Sequence, residues 1–244
     1  MKYILSLLIL SLAGISLIAQ PDPNEGGHGG LNVNSTFGAT LLNKTFNNGY
    51  EKTRLSYESI KGSPYLNDEA VKGKLVLHDG TVIEDVLIRV DLYTENVIVE
   101  QEGKEDMFLD KSNCWEIILP IDGKEVVLKK LNYHEPDRFY EKLYQDEEFI
   151  FFKDNYVTYK EGANHGLAKV DPKFKRRKKY YIKHGGKEIK KVKIKDKDVF
   201  SGFTKAEVKA FKEYAKTNGI KLNNAESFVK VFEALRGSDK VLKP

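Results

Sequence analysis

From about Tyr50 to Lys195 the apolar positions of this chain recur with a period of two. Lys74-Leu75-Val76-Leu77 runs into His78-Asp79-Gly80-Thr81 and then Val82-Ile83. Asp-Gly between apolar runs predicts a hairpin, because tight primed turns need the positive φ that glycine adopts freely. Val86, Ile88, Val90 and Leu92 alternate with Leu87, Arg89, Asp91 and Tyr93, which predicts a strand with one face more apolar than the other. Thr94-Glu95-Asn96 turns into Val97-Ile98-Val99, and Glu102-Gly103-Lys104 turns toward Met107-Phe108-Leu109. Trp115 to Ile121 is a further strand, closed by Asp122-Gly123 and followed by Glu125 to Leu131. Turns at this spacing build an antiparallel meander.

Beyond Pro136 the pattern predicts strands at Phe139 to Tyr144, Phe149 to Lys153 and Tyr156 to Lys160, with turns near Gln145-Asp146 and Asp154-Asn155. Gly162 to Pro172 reads as a loop. Lys179 to Lys183 and Lys187 to Lys195 flank His184-Gly185-Gly186 as one more hairpin. The last forty residues change period. Thr204-Lys205-Ala206-Glu207 is a capping box, in which the threonine and glutamate side chains satisfy free backbone donors at a helix start. Asn218-Gly219 stops that helix. Asn223 or Asn224 caps a second, carried by Phe228, Val231, Phe232 and Leu235 and ended by Gly237.

Ahead of the meander, Met1-Lys2 and an apolar run from Tyr3 to Ala19 have the parts of a secretory signal peptide. The alternative is a membrane anchor, but the run is slightly short of the ~20 residues a spanning helix needs. No cysteine stands directly after it to carry a lipid. Pro21 to Thr36 is rich in proline and glycine and reads as a flexible lead, with Phe37 to Leu42 as a short apolar segment. The expected organisation is a signal peptide over 1–19, a flexible lead over 20–49, one β-rich domain with C-terminal helices over 50–236 and a tail over 237–244. The fold class is mainly β: an antiparallel meander, either an open sheet or a partly closed barrel, with a C-terminal pair of short helices.

Apolar residues make up 41% of the chain, enough for a core, so disorder is not the reading. The single cysteine, Cys114, excludes an intramolecular disulfide, and its apolar neighbours predict a buried thiol. The net charge of +4 conceals an asymmetry. Lys173 to Lys197 holds thirteen Lys or Arg against Glu188 and Asp196 alone. Alternation places Lys191, Lys193 and Lys195 together if Val192 and Ile194 face the core. Lys175, Arg176, Arg177, Lys191, Lys193 and Lys195 are the candidate residues for an anionic ligand. Export points away from nucleic acid and toward anionic lipid, lipopolysaccharide or another envelope protein. The plainer reading is a solvated face that discourages edge pairing.

No motif for catalysis stands out. Asp196, Asp198 and Glu207 match positions one, three and twelve of a calcium loop, but Phe200 and Ser201 replace the oxygen ligand and the glycine it needs. The histidines, His28, His78, His134, His165 and His184, are scattered without metal-ligand spacing. No cofactor is expected. Asn34-Ser35-Thr36 and Asn43-Lys44-Thr45 fit the glycosylation pattern, which matters only in a eukaryotic secretory route.

Ile60-Lys61-Gly62-Ser63-Pro64-Tyr65-Leu66-Asn67-Asp68-Glu69, with the turn at Asp79-Gly80, the strand that follows, the closing basic hairpin and the helix pair, resembles a pattern in exported proteins of Bacteroidota. The resemblance covers about Tyr50 to Leu235. It implies a bacterial envelope setting and carries over no catalytic residue. The motif also has a structural reading: Gly62 and Pro64 shape a turn, and Asn67-Asp68 cap one by side-chain hydrogen bonds. The function expected is a non-enzymatic binding or structural module with a basic surface segment; the alternative is a hydrolytic enzyme with a site assembled from scattered loop residues.

Overall fold

A computed structural model describes residues 31–32, 46–47, 57, 60–101, 103, 105–131, 138–165 and 168–237. The predicted signal segment, the glycosylation sequences, His28 and His134 lie outside the described residues. Among the described residues fourteen strands run in chain order: β1 Leu31–Asn32, β2 Phe46–Asn47, β3 Val71–Leu77, β4 Val82–Asp91, β5 Asn96–Glu100, β6 Met107–Leu109, β7 Cys114–Ile121, β8 Lys124–Lys130, β9 Phe139–Gln145, β10 Phe149–Lys160, β11 Ala163–His165, β12 Ala168–Val170, β13 Lys173–His184 and β14 Lys190–Val192. Three helices follow: α1 Asp196–Val199, α2 Lys205–Thr217 and α3 Ala225–Arg236.

Twelve strands form one open sheet in the order β14-β13-β10-β9-β8-β7-β3-β4-β5-β6-β2, with β1 added in parallel to the first residues of β4. All its other ladders are antiparallel, and β11 and β12 pair apart as a small hairpin. The expected mainly-β class with C-terminal helices is what the chain adopts, in its open-sheet form.

The tight turns follow from local chemistry. Leu77 and Thr81 close the Asp79-Gly80 turn, where Asp79 Oδ1 accepts from Thr81 N–H at 2.9 Å. Asp122 and Gly123 both take positive φ, 51° and 71°, as a two-residue hairpin requires, and Ile121 pairs with Lys124 across it. From β6 the chain reaches β7 through only Asp110–Asn113, a single 3-10 turn capped by Asp110. Strand β7 nevertheless pairs with β3, at the far side of the β3–β6 meander. So short a return obliges β7-β3-β4-β5-β6 to curl, and the curled face encloses the first core. Leu75, Ile83, Ile88, Ile117, Leu119 and Cys114 are fully buried there. Among the described residues no ladder joins β6 to β7, so the sheet stays open.

The second core lies where β9, β10, β13 and β14 continue the sheet. Phe149, Phe151 and Ile182 face the helices, which return Phe200, Phe211, Phe228, Val231 and Phe232. The helix ends are those read from sequence. Thr204 and Glu207 make the reciprocal capping box of α2, Asn224 caps α3, and Gly237 ends it at φ +81°. A smaller aromatic group, Tyr140, Phe152 and Tyr181, occupies the opposite face of the sheet.

Three expectations are corrected. No turn occurs at Asp154-Asn155, because β10 runs unbroken against twelve successive residues of β13. The polar pair stays in the strand because each side chain has a partner: Asp154 meets Arg138 Nη2 at 2.8 Å, and Asn155 Nδ2 donates to Glu141 at 2.7 Å. The Gly162–Pro172 loop contains β11 and β12, paired from Ala163↔Val170 to His165↔Ala168. The basic hairpin strand begins at Lys173 rather than Lys179, its register with Tyr156, Thr158 and Tyr159 supplying β-forming partners for a charged run. In addition, two dipeptides of the predicted lead, β1 and β2, are ladder members.

Candidate functional site

The basic run is placed by the β10·β13 ladder. In this register Phe174, Arg176, Lys178, Tyr180 and Ile182 share one face, and Ile182 is buried under the helices. Lys173, Lys175, Arg177, Lys179 and Tyr181 occupy the other. Tyr181 stacks on Phe152 with ring centroids 5.3 Å apart and lies opposite Lys191 of β14. Val192 is buried and Ile194 packs partly into the helix-side core, so the exposed Lys191, Lys193 and Lys195 alternate with them.

Of the six candidate residues, Lys175, Arg177 and Lys191 therefore share the face that bears Tyr181, Lys191 opposite it and Arg177 and Lys175 farther along β13, with Lys193 and Lys195 continuing beyond the β14 ladder. Among the described residues none of these five makes a salt bridge. Arg176 differs. It points to the opposite face and meets Asp68 at 2.8 Å, an exposed pair of little energetic weight. Lys179 was not singled out from the sequence, yet it shares the Lys175–Arg177 face. Its Nζ sits 4.3 Å from the Tyr156 ring centroid and 3.9 Å from Asp154 Oδ2. Strict two-residue counting from Lys175 would have found it; a spacing-blind count of charges does not.

The Gly62-Ser63-Pro64-Tyr65-Leu66-Asn67-Asp68 motif is a strap joining the start of β13 to β4. Lys61 N–H donates to Pro172 O and Lys61 O accepts from Phe174 N–H, which ties it to the start of β13. Gly62 has φ +85°, and a Cβ there would lie 3.0 Å from the Phe174 carbonyl oxygen, so glycine is required. Leu66 N–H then donates to Val90 O, and Leu92 N–H to Pro64 O. The buried Asn67 amide donates to Ile88 O at 3.0 Å and to Glu69 O at 2.7 Å. The motif thus has a structural role: Asn67 serves the backbone of β4 and Asp68 meets Arg176 of β13.

Cys114 is fully buried, with Sγ 3.5 Å from Val76 O and 3.4 Å from Glu116 O. Burial pushes its thiol up to about 12, with weak opposition from the backbone hydrogen bonds. That is the reverse of a nucleophile's setting. Cys114 is expected to react with a thiol reagent only after denaturation; labelling of the native protein at the rate of the unfolded chain would contradict its burial.

His184 lies against Phe149 and Phe203, at centroid distances of 4.8 and 4.5 Å, and burial lowers its pKa below 6.5. Glu207 is engaged by Thr204 and Arg236, and Asp196 by Lys212, so the calcium-loop residues serve the helices. Among the described residues no group of three or more His, Cys, Asp or Glu is placed to hold a metal, and no helix is long and apolar enough to cross a membrane. Comparison with family models, with curated proteins and with solved structures finds no match for this chain.

Proposed function

We propose that this chain is an exported, non-enzymatic binding module of a bacterial cell envelope, which holds an anionic partner against the basic face of β13 and β14. The observation that carries this reading is the row of Lys175, Arg177 and Lys191 along the face of the sheet that bears Tyr181, extended by the exposed Lys193 and Lys195. Cations at this density repel one another, and an anionic partner relieves that repulsion. The apolar signal-like start supports an envelope setting, where headgroup phosphates, lipopolysaccharide and acidic envelope proteins supply negative charge.

Vesicles containing anionic lipid provide the test of the field. Each lysine near such a surface contributes about 1 kcal/mol, and only within a Debye length of ~8 Å at physiological salt. Association is expected at low salt and lost at high salt. Replacing Lys191, Lys193 and Lys195 together with glutamine is expected to weaken it by about ten- to a hundredfold, with the circular dichroism spectrum unchanged. Absence of binding at low salt, or indifference to the triple substitution, would reduce the stripe to a solvated strand face.

A further inference from the structure

The basic run is also a sheet edge. Strand β13 pairs with β10 over all twelve of its residues, but on its other side β14 covers only Tyr180, Tyr181 and Ile182. At the opposite end Lys61 covers Pro172 and Phe174. Between them Lys175 to Lys179 have no ladder partner on that side among the described residues. Phe174 N–H points away from β10 to reach Lys61 O, at 2.8 Å. Alternation therefore turns the N–H and C=O of Arg176 and Lys178 to the same open side. The gap is five residues, about 17 Å of strand, which is the ordinary length of a β-strand.

We propose that this gap accepts an acidic, extended peptide segment of a partner protein as an added strand between Lys61 and β14. The inference rests on the anion-binding reading and gives its partner a form. Backbone ladder bonds to Arg176 and Lys178 supply the pairing, and the side chains choose the partner. An added strand lays its side chains beside Lys175, Arg177 and Lys179 on one face and beside Arg176 and Lys178 on the other. Carboxylates on it meet cations on either face. A second copy of this edge would set like charges opposite one another, which disfavours pairing, so the edge refuses itself and admits an acid. Asp68 holds Arg176 only through an exposed pair and yields it readily.

The probe is the fluorescent heptapeptide Glu-Val-Glu-Val-Glu-Val-Glu, with two backbone N-methylated forms, one methylated at the valines and one at the glutamates. A strand at an edge turns alternate N–H groups toward its host, so methylation on that side blocks pairing. Saturable binding of the parent is expected, with a loss of about tenfold or more in at least one methylated form. Lys178→Pro removes an N–H that faces the open side, a place where a strand tolerates proline. It is expected to weaken the parent peptide similarly while vesicle association persists. Equal binding of all three peptides, no binding of the parent, or full binding by a folded Lys178→Pro variant would overturn strand addition. If vesicles bind and the peptide does not, strand addition alone falls; if neither binds, the anionic reading falls with it.

Discussion

Phe232→Ala is expected to cost about 3–5 kcal/mol of unfolding free energy and to loosen both long helices from the sheet. The Phe232 side chain is fully buried on α3, on the same face as Phe228 and Val231. Its ring lies 5.0 Å from Phe149, 5.3 Å from Tyr144 and 5.6 Å from Phe211, centroid to centroid, so it touches β9, β10 and α2 together. Phe203 stacks on it at 5.7 Å, and Phe200 and Phe151 complete the surround. Removing the ring opens a cavity whose walls belong to four elements, and no single side-chain rotation fills it. Urea denaturation followed by near- and far-ultraviolet circular dichroism measures the loss. A cost below about 1 kcal/mol would mean that the helices are held elsewhere.

Arg236→Met is expected to cost about 2 kcal/mol at neutral pH, and the cost should shrink in acid. Arg236 ends α3 and reaches the β9–β10 turn, with Nε 2.5 Å from Asp146 Oδ2 and Nη1 2.8 Å from Glu207. Asp146 organises that turn by accepting the backbone N–H groups of Glu148 and Phe149, and the Tyr144 hydroxyl is 3.0 Å away. Partial burial alone would raise the Asp146 pKa, but Arg236, the two N–H groups and Tyr144 outweigh it and hold the carboxyl below 3.8. A carboxyl depressed in the folded state stabilises fully above its unfolded value and loses that contribution as pH falls through its folded value. The difference between wild type and variant should therefore be present at pH 7 and shrink at an acidic pH, as Asp146 takes up its proton. Equal differences in denaturation midpoint at both pH values would remove Asp146 as the titrating partner.

Much of this architecture was written in local chemistry. Asp79-Gly80 and Asp122-Gly123 carry their own turns, Thr204 and Glu207 their own cap, and Val192 and Ile194 their own facing. What escaped the sequence depends on partners far along the chain. Asp154-Asn155 looks like a turn until Arg138 and Glu141 are beside it. The return of β7 to β3 rests on a four-residue connection whose consequence is visible only in three dimensions. The candidate site shows the same division. Two-residue alternation separates Arg176 from Lys175 and Arg177, and this was available once the strand was known to begin at Lys173. That the run lies at an edge follows from where β14 stops and where Lys61 docks, and neither is encoded near residue 176.

The placement of the second core also orders its assembly in time. A ribosome delivers Phe149, Phe151 and Ile182 well before the residues that cover them, because the cover is α2 and α3, which follow them in the chain. The first core needs nothing beyond Leu128 to complete its buried set. One half of the sheet can thus settle during synthesis, while the other keeps an oily face until Arg236 emerges and fastens to the Asp146 turn. Any process that handles the growing chain meets a half-finished molecule whose second core still awaits the docking of α2 and α3.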